Sequence, residues 1–148
     1  MKVSEVIDVN QIIIDLNENN QKAVIEKLAE KLDTKGVLSN KKNYIESVLE
    51  REVHSTTGIG NGIAIPHGKS DSVKEAAIAY AKLKEPIEWA SLDDKPVSIV
   101  ILLAIPDSEK GDTHLRLLSE IAMKLMDDEI VENLKQETNQ AEIINILG

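Results

Sequence analysis

The sequence predicts an α/β fold, a single sheet with helices packed against it. Residues 97–105 are apolar almost throughout, which suits a strand buried on both faces with helices above and below. Strand-length segments recur at 11–15, 63–65 and 75–84. Around them lie stretches whose apolar residues repeat at helical spacing. At 148 residues the chain is expected to form one domain, 1–148, large enough for a real core and too short for two.

In chain order, residues 11–15 (Gln-Ile-Ile-Ile-Asp) read as a short strand. Residues 20–32 place Val24, Ile25, Leu28, Ala29 and Leu32 on one helical face, and Gly36 closes the turn after them. Residues 41–53 form a second helix with Ile45, Val48, Leu49 and Val53 inward. Arg51 and Glu52 fall in its last turn, where the helix dipole favours a cation. Residues 54–62 read as a loop. Ile63-Ala64-Ile65 is a short strand that Pro66 ends, because proline cannot donate to a ladder. After the strands 75–84 and 97–105 comes a helix over 113–126, with Leu118, Ile121, Ala122 and Leu125 inward. Two further helical stretches run from about 129 to 134 and from 140 to 147.

Composition narrows the function. With no cysteine there is no disulfide framework, thiolate nucleophile or cysteine-based zinc site. A net charge of −9 disfavours nucleic acid and anionic membranes and favours a basic protein partner. The N-terminal residues have no basic region followed by a long apolar run, so neither a signal peptide nor a membrane span is expected and the expected location is cytoplasmic.

Several motifs invite a reading and fail it. Gly68-Lys69-Ser70 looks like the end of a phosphate loop, but the position that needs the first glycine is Ile63, and Pro66 lacks an amide such a loop would use. Gly58 and Gly60 begin a dinucleotide fingerprint that Ile63 again breaks. A zinc site drawn from His54, His67 and His114 with Asp112 has no recognised ligand spacing, so neither metal nor cofactor is assigned. No serine lies in a nucleophile-elbow pattern.

His67 stands out among the three histidines. It follows a strand, sits between Pro66 and Gly68, and adjoins a glycine-rich loop, which puts an imidazole on a stiff support with open backbone around it. A neutral imidazole is a good nucleophile near neutral pH and can accept a phosphoryl group. Such a transfer needs position, positive charge and donors around the equatorial oxygens. Arg51 and His114 are candidates for the charge, and Ser55, Thr56 and Thr57 for the donors. Glu52 either orients Arg51 or is a solvated helix residue. His54, at a helix end among polar residues, reads as surface.

The run Arg51-Glu52, then Ser55 through Gly62 (Ser-Thr-Thr-Gly-Ile-Gly-Asn-Gly) and on through Ile63-Ala64-Ile65-Pro66-His67-Gly68, resembles the signature of the fructose/mannitol-type EIIA domain. That domain (EIIA type 2) is a phosphocarrier of the bacterial phosphoenolpyruvate-dependent sugar phosphotransferase system. His114 to Ala122 resembles the helix that carries the family's second histidine, and Thr57 to Gly62 resembles the fructose branch more closely. The resemblance implies a mixed sheet with helices on both faces. It implies that His67 takes a phosphoryl group from phospho-HPr on Nε2 and passes it to an EIIB domain of a sugar permease, with membrane EIIC involved only indirectly. Arg51 and His114 would flank the active histidine, and Thr57, Glu52 and Gly68 would be binding residues. HPr's basic, partly apolar face would suit the acidic chain. The alternative is a regulatory relative that binds partners according to His67 phosphorylation. A metal-dependent hydrolase using the same histidines is a third reading.

Overall fold

The computed structural model describes residues 2–108 and 113–148, with the backbone but not the side chains of Thr113 and His114. Two 3₁₀ turns, Val3–Glu5 and Val9–Gln11, lead into β1 (Ile12–Leu16). Helices α1 (Gln21–Lys35) and α2 (Lys41–His54) follow, each started by an asparagine whose side chain accepts from a first-turn amide: Asn20 from Ala23 N and Asn40 from Asn43 N. Then come β2 (Gly58–Gly60), β3 (Ile63–Ala64), β4 (His67–Ser70), β5 (Ala77–Ile87) and β6 (Val97–Pro106). Helices α3 (Thr113–Leu125), α4 (Asp128–Gln136) and α5 (Gln140–Leu147) complete the described elements. Among the described residues no helix is long and apolar enough to cross a membrane.

The strands form one open mixed sheet in the order β1-β5-β6-β3-β2, with β4 also on β6. β5 and β6 pair antiparallel, as do β2 and β3, whereas β1 runs parallel to β5 and both β3 and β4 run parallel to β6. The apolar run of β6 serves two cores by simple alternation. Val100, Leu102 and Ala104 pack with Val24, Leu28, Tyr44 and Val48 of α1 and α2. Ile99, Ile101, Leu103 and Ile105 pack with Leu117, Ile121, Leu134 and Ile143 of α3, α4 and α5. The expected α/β sheet with helices on both faces is what forms.

Three local expectations need correction. Val53 is 85% exposed, not inward. The inward stripe through Ile45 and Val48 meets residue 52 on the next turn, so half-buried Glu52 takes the position and Val53 lies about 100° round the helix. The expected loop 54–62 contains β2, which turns into β3 through Asn61-Gly62, both at positive φ (57° and 80°), the pair a type I′ hairpin turn requires.

Nor does Pro66 end the pairing. Ile63 faces Ile99 and Ala64 faces Val100, and after Pro66 the same offset carries His67 opposite Leu103 through Ser70 opposite Pro106. Residues 63–70 therefore follow one line along β6. Pro66 keeps its acceptor role, taking Leu103 N–H at 3.0 Å, and forfeits only the bond its missing N–H would make.

Candidate functional site

Residue 66 turns its carbonyl toward β6, so residue 65 turns its polar groups the other way. Ile65 N donates to Thr57 O at 3.0 Å, on the side of the β2 hairpin. Ile65 O lies 3.0 Å from Nδ1 of His67, two residues along. A carbonyl can only accept, so Nδ1 carries the hydrogen, and in the neutral ring the lone pair belongs to Nε2.

Gly68, the next residue, supplies the close approach that holds α2 over β4. A Cβ there would meet Val48 Cγ2 at 2.8 Å, Tyr44 Cε1 at 3.2 Å and Ser47 Oγ at 3.3 Å. Tyr44 donates its hydroxyl to Leu103 O at 2.7 Å, and Ser47 donates to Lys69 O at 3.2 Å. The Ser47 bond ties the helix to β4, the strand that opens with His67, and the Tyr44 bond ties it to the neighbouring β6.

His67 is half-buried in a cleft of about 500 Å³. Its walls are Ser47, Glu50, Arg51 and His54 from α2, Gly68 and Lys69 from β4, Ile105 from the end of β6, and Leu115 and Leu118 from α3. Among the described residues the cleft is apolar on the α3 side and carries Arg51 and Lys69 on the α2 and β4 side, with Glu50 as its carboxylate.

Arg51, half-buried in the last turn of α2, donates Nη1 to Ser55 O at 3.0 Å and to Ser55 Oγ at 3.2 Å. These bonds close the end of the helix and leave its remaining N–H groups for the cleft. Glu52 does not orient Arg51. Its carboxylate accepts Thr57 N–H at 2.7 Å and Thr57 Oγ1–H at 2.6 Å, and Trp89 Nε1 donates to the same hydroxyl at 3.3 Å. Thr57 is buried and its single hydroxyl hydrogen goes to Glu52, so it braces the loop where a free donor was expected. Thr56 likewise donates to Trp89 O and accepts from Gly58 N.

His54 is exposed, as expected, but it lines the cleft. His114 occupies the second position of α3, while its side chain and the whole of Asp112 lie outside the described residues. Among the described residues there is no cluster of three or more His, Cys, Asp and Glu that would hold a metal. Lys69, Ile105 and Leu115 were not anticipated as cleft residues. The signal for Lys69 was strand alternation from His67, hidden by reading Pro66 as a strand end.

Residues 5–148 match the family described as phosphoenolpyruvate-dependent sugar phosphotransferase system, EIIA 2. The chain is 39% identical, over 86% of its length, to the 2-O-alpha-mannosyl-D-glycerate-specific EIIABC component of Escherichia coli. It is 35% identical over 100% of its length to the fructose-specific EIIABC component of Bacillus subtilis. It spans only 20% and 23% of the length of these two relatives. Among solved structures, the nitrogen regulatory protein IIA-Ntr of Neisseria meningitidis superposes with a TM-score of 0.92 at 30% identity, covering 99% of both chains.

Proposed function

The chain belongs to the EIIA type 2 family of the phosphoenolpyruvate-dependent sugar phosphotransferase system, and on that premise we propose that it is a phosphocarrier. His67 accepts a phosphoryl group from phospho-HPr at Nε2 and passes it to an EIIB domain, with membrane EIIC served only indirectly. The hydrogen bond of 3.0 Å from Nδ1 to Ile65 O carries this reading. It holds the ring in the tautomer whose Nε2 is the nucleophile.

Attack on phosphorus forms the Nε2–P bond as the N–P bond of the donor breaks, and the donor imidazole leaves with that electron pair. Protein groups contribute position and charge rather than covalent chemistry. Arg51 meets the phosphoryl oxygens with the N–H groups that Ser55 does not use, and the resemblance gives His114 the same task. Glu52 and Thr57 hold the loop beside them, and Gly68 allows α2 to bring Arg51 close. The reading needs no metal or cofactor and places the protein in the cytoplasm. Fructose-type uptake is favoured by the run Thr57 to Gly62, while the sugar itself is chosen by the partners.

Nitrogen-15 spectra of the His67 ring before and after phosphorylation test the assignment. The expected result is a hydrogen on Nδ1 in the free protein and phosphorus on Nε2 in the product. Phosphorus on Nδ1 would contradict it.

The structural likeness to IIA-Ntr supports a second reading, a regulator whose partner binding follows the phosphorylation of His67. Loss of growth on one sugar in cells lacking this protein favours transport, and unchanged growth on every sugar favours regulation.

A further inference from the structure

We propose that Lys69 is a further member of this site, its ammonium neutralising the phosphoryl group on His67. The inference rests on His67 being the acceptor. Along β4 the side chains alternate: His67 half-buried, Gly68 buried, Lys69 exposed, Ser70 buried. Residues two apart on a strand share a face at about 6.6 Å spacing. The backbone of one strand therefore fixes the spacing from which the flexible Lys69 side chain reaches toward the nucleophile.

That strand is held firmly. His67 and Lys69 stand opposite Leu103 and Ile105 in one unbroken register. Ser47 Oγ donates to Lys69 O at 3.2 Å, and α2 rests directly on Gly68 between the two. Both side chains line the same cleft. Among the described residues the ion pair is Lys35–Asp8, so Lys69 is not bound to a carboxylate.

A phosphoryl group brings close to two negative charges to a chain whose net charge is already −9. Arg51 is anchored at one end to its own helix terminus. Lys69 adds a compact, mobile point charge from the adjoining strand. It stabilises the phosphorylated state and so sets how phosphoryl groups partition between HPr and this protein.

The test compares wild type, Lys69→Gln and Lys69→Arg with phospho-HPr, reading the equilibrium phosphorylated fraction and the rate at saturating donor by intact mass. Lys69→Gln is expected to shift the equilibrium toward HPr by about tenfold and to slow transfer at saturation by about 10–100-fold. Lys69→Arg is expected to restore most of both. An unchanged equilibrium, with only the half-saturating HPr concentration raised, would make Lys69 a docking residue and overturn the proposal. Wild-type protein that stays unmodified beside phosphorylated HPr would instead overturn the acceptor reading of His67 and remove the basis for Lys69 with it.

Discussion

Glu52 holds Thr57 with both carboxylate oxygens, one on the backbone amide at 2.7 Å and one on the hydroxyl at 2.6 Å. Trp89 adds its indole N–H to the same hydroxyl at 3.3 Å. This clamp joins the end of α2, which carries Arg51, to the loop entering β2. Glu52→Ala strips two partners from buried Thr57 and is expected to lower stability by about 1–3 kcal/mol in urea titration. The emission of Trp89, the protein's single tryptophan, should shift in the folded variant. Wild-type stability and emission together would show that the clamp contributes nothing.

The two tyrosines respond in opposite directions to loss of the hydroxyl. Tyr44 is fully buried and donates to Leu103 O at 2.7 Å, so Tyr44→Phe leaves that carbonyl short and costs about 1–2 kcal/mol. The Tyr80 hydroxyl is buried with no partner among the described residues, and burial pushes its phenol above the ordinary range. Tyr80→Phe removes an unsatisfied group and is expected to be neutral or to stabilise by up to about 1 kcal/mol. Equal destabilisation of both variants would refute this account.

Gly68→Ala places a methyl group 2.8 Å from Val48 Cγ2. The helix must retreat from β4, at about 1–3 kcal/mol. Because α2 carries Arg51, phosphoryl transfer should slow as well. Gly68→Ala with Val48→Ala opens room for the methyl group and should recover part of the rate. A double variant no faster than the single one would argue against displacement of α2 as the cause.

Lys35 Nζ stands 2.6 Å from Asp8 Oδ2. The Lys35 hydrogen bond holds Asp8 below its usual 3.8, and the Asp8 hydrogen bond holds Lys35 above its usual 10.5. The folded chain thus binds fewer protons at Asp8 than the unfolded chain. The stabilisation is present above pH 3.8 and fades as pH falls through the lowered value. On the alkaline side it is complete below pH 10.5 and lost as pH rises through the raised value. Asp8→Asn keeps the cap on Asn10 but loses the charge. It should be less stable than wild type at about pH 7, approach it as pH falls through the lowered Asp8 value, and lie closer to it in about 1 M salt. A difference that persists at the lowest pH would assign the effect to something other than this pair.

The periodicity of α1 and the apolar run of β6 were legible because burial there is decided by side-chain pattern alone. The hairpin at Asn61-Gly62 was legible in principle, since that dipeptide is a strong turn signal, but three glycines in a row of polar residues read as loop. β4 was hidden by Pro66, whose lost N–H removes one bond without shifting the register on β6. With β4 went Lys69. His67 and Arg51 could be named from the motif. The partner of His67 could not, because Ile65 contributes a backbone carbonyl, and a backbone acceptor leaves no mark in a residue pattern. Glu52 was misread for a different reason: it occupies the inward stripe of α2 at the point where the helix outruns its apolar core.

The central claim is most directly tested by intact-mass spectrometry after incubation with phosphoenolpyruvate, Enzyme I and HPr, with His67→Ala in parallel. The account predicts one added phosphoryl mass on the wild-type protein, labile in acid, and none on the folded variant. Wild-type protein that stays unmodified while HPr becomes phosphorylated, or a variant that gains the same mass, would contradict it.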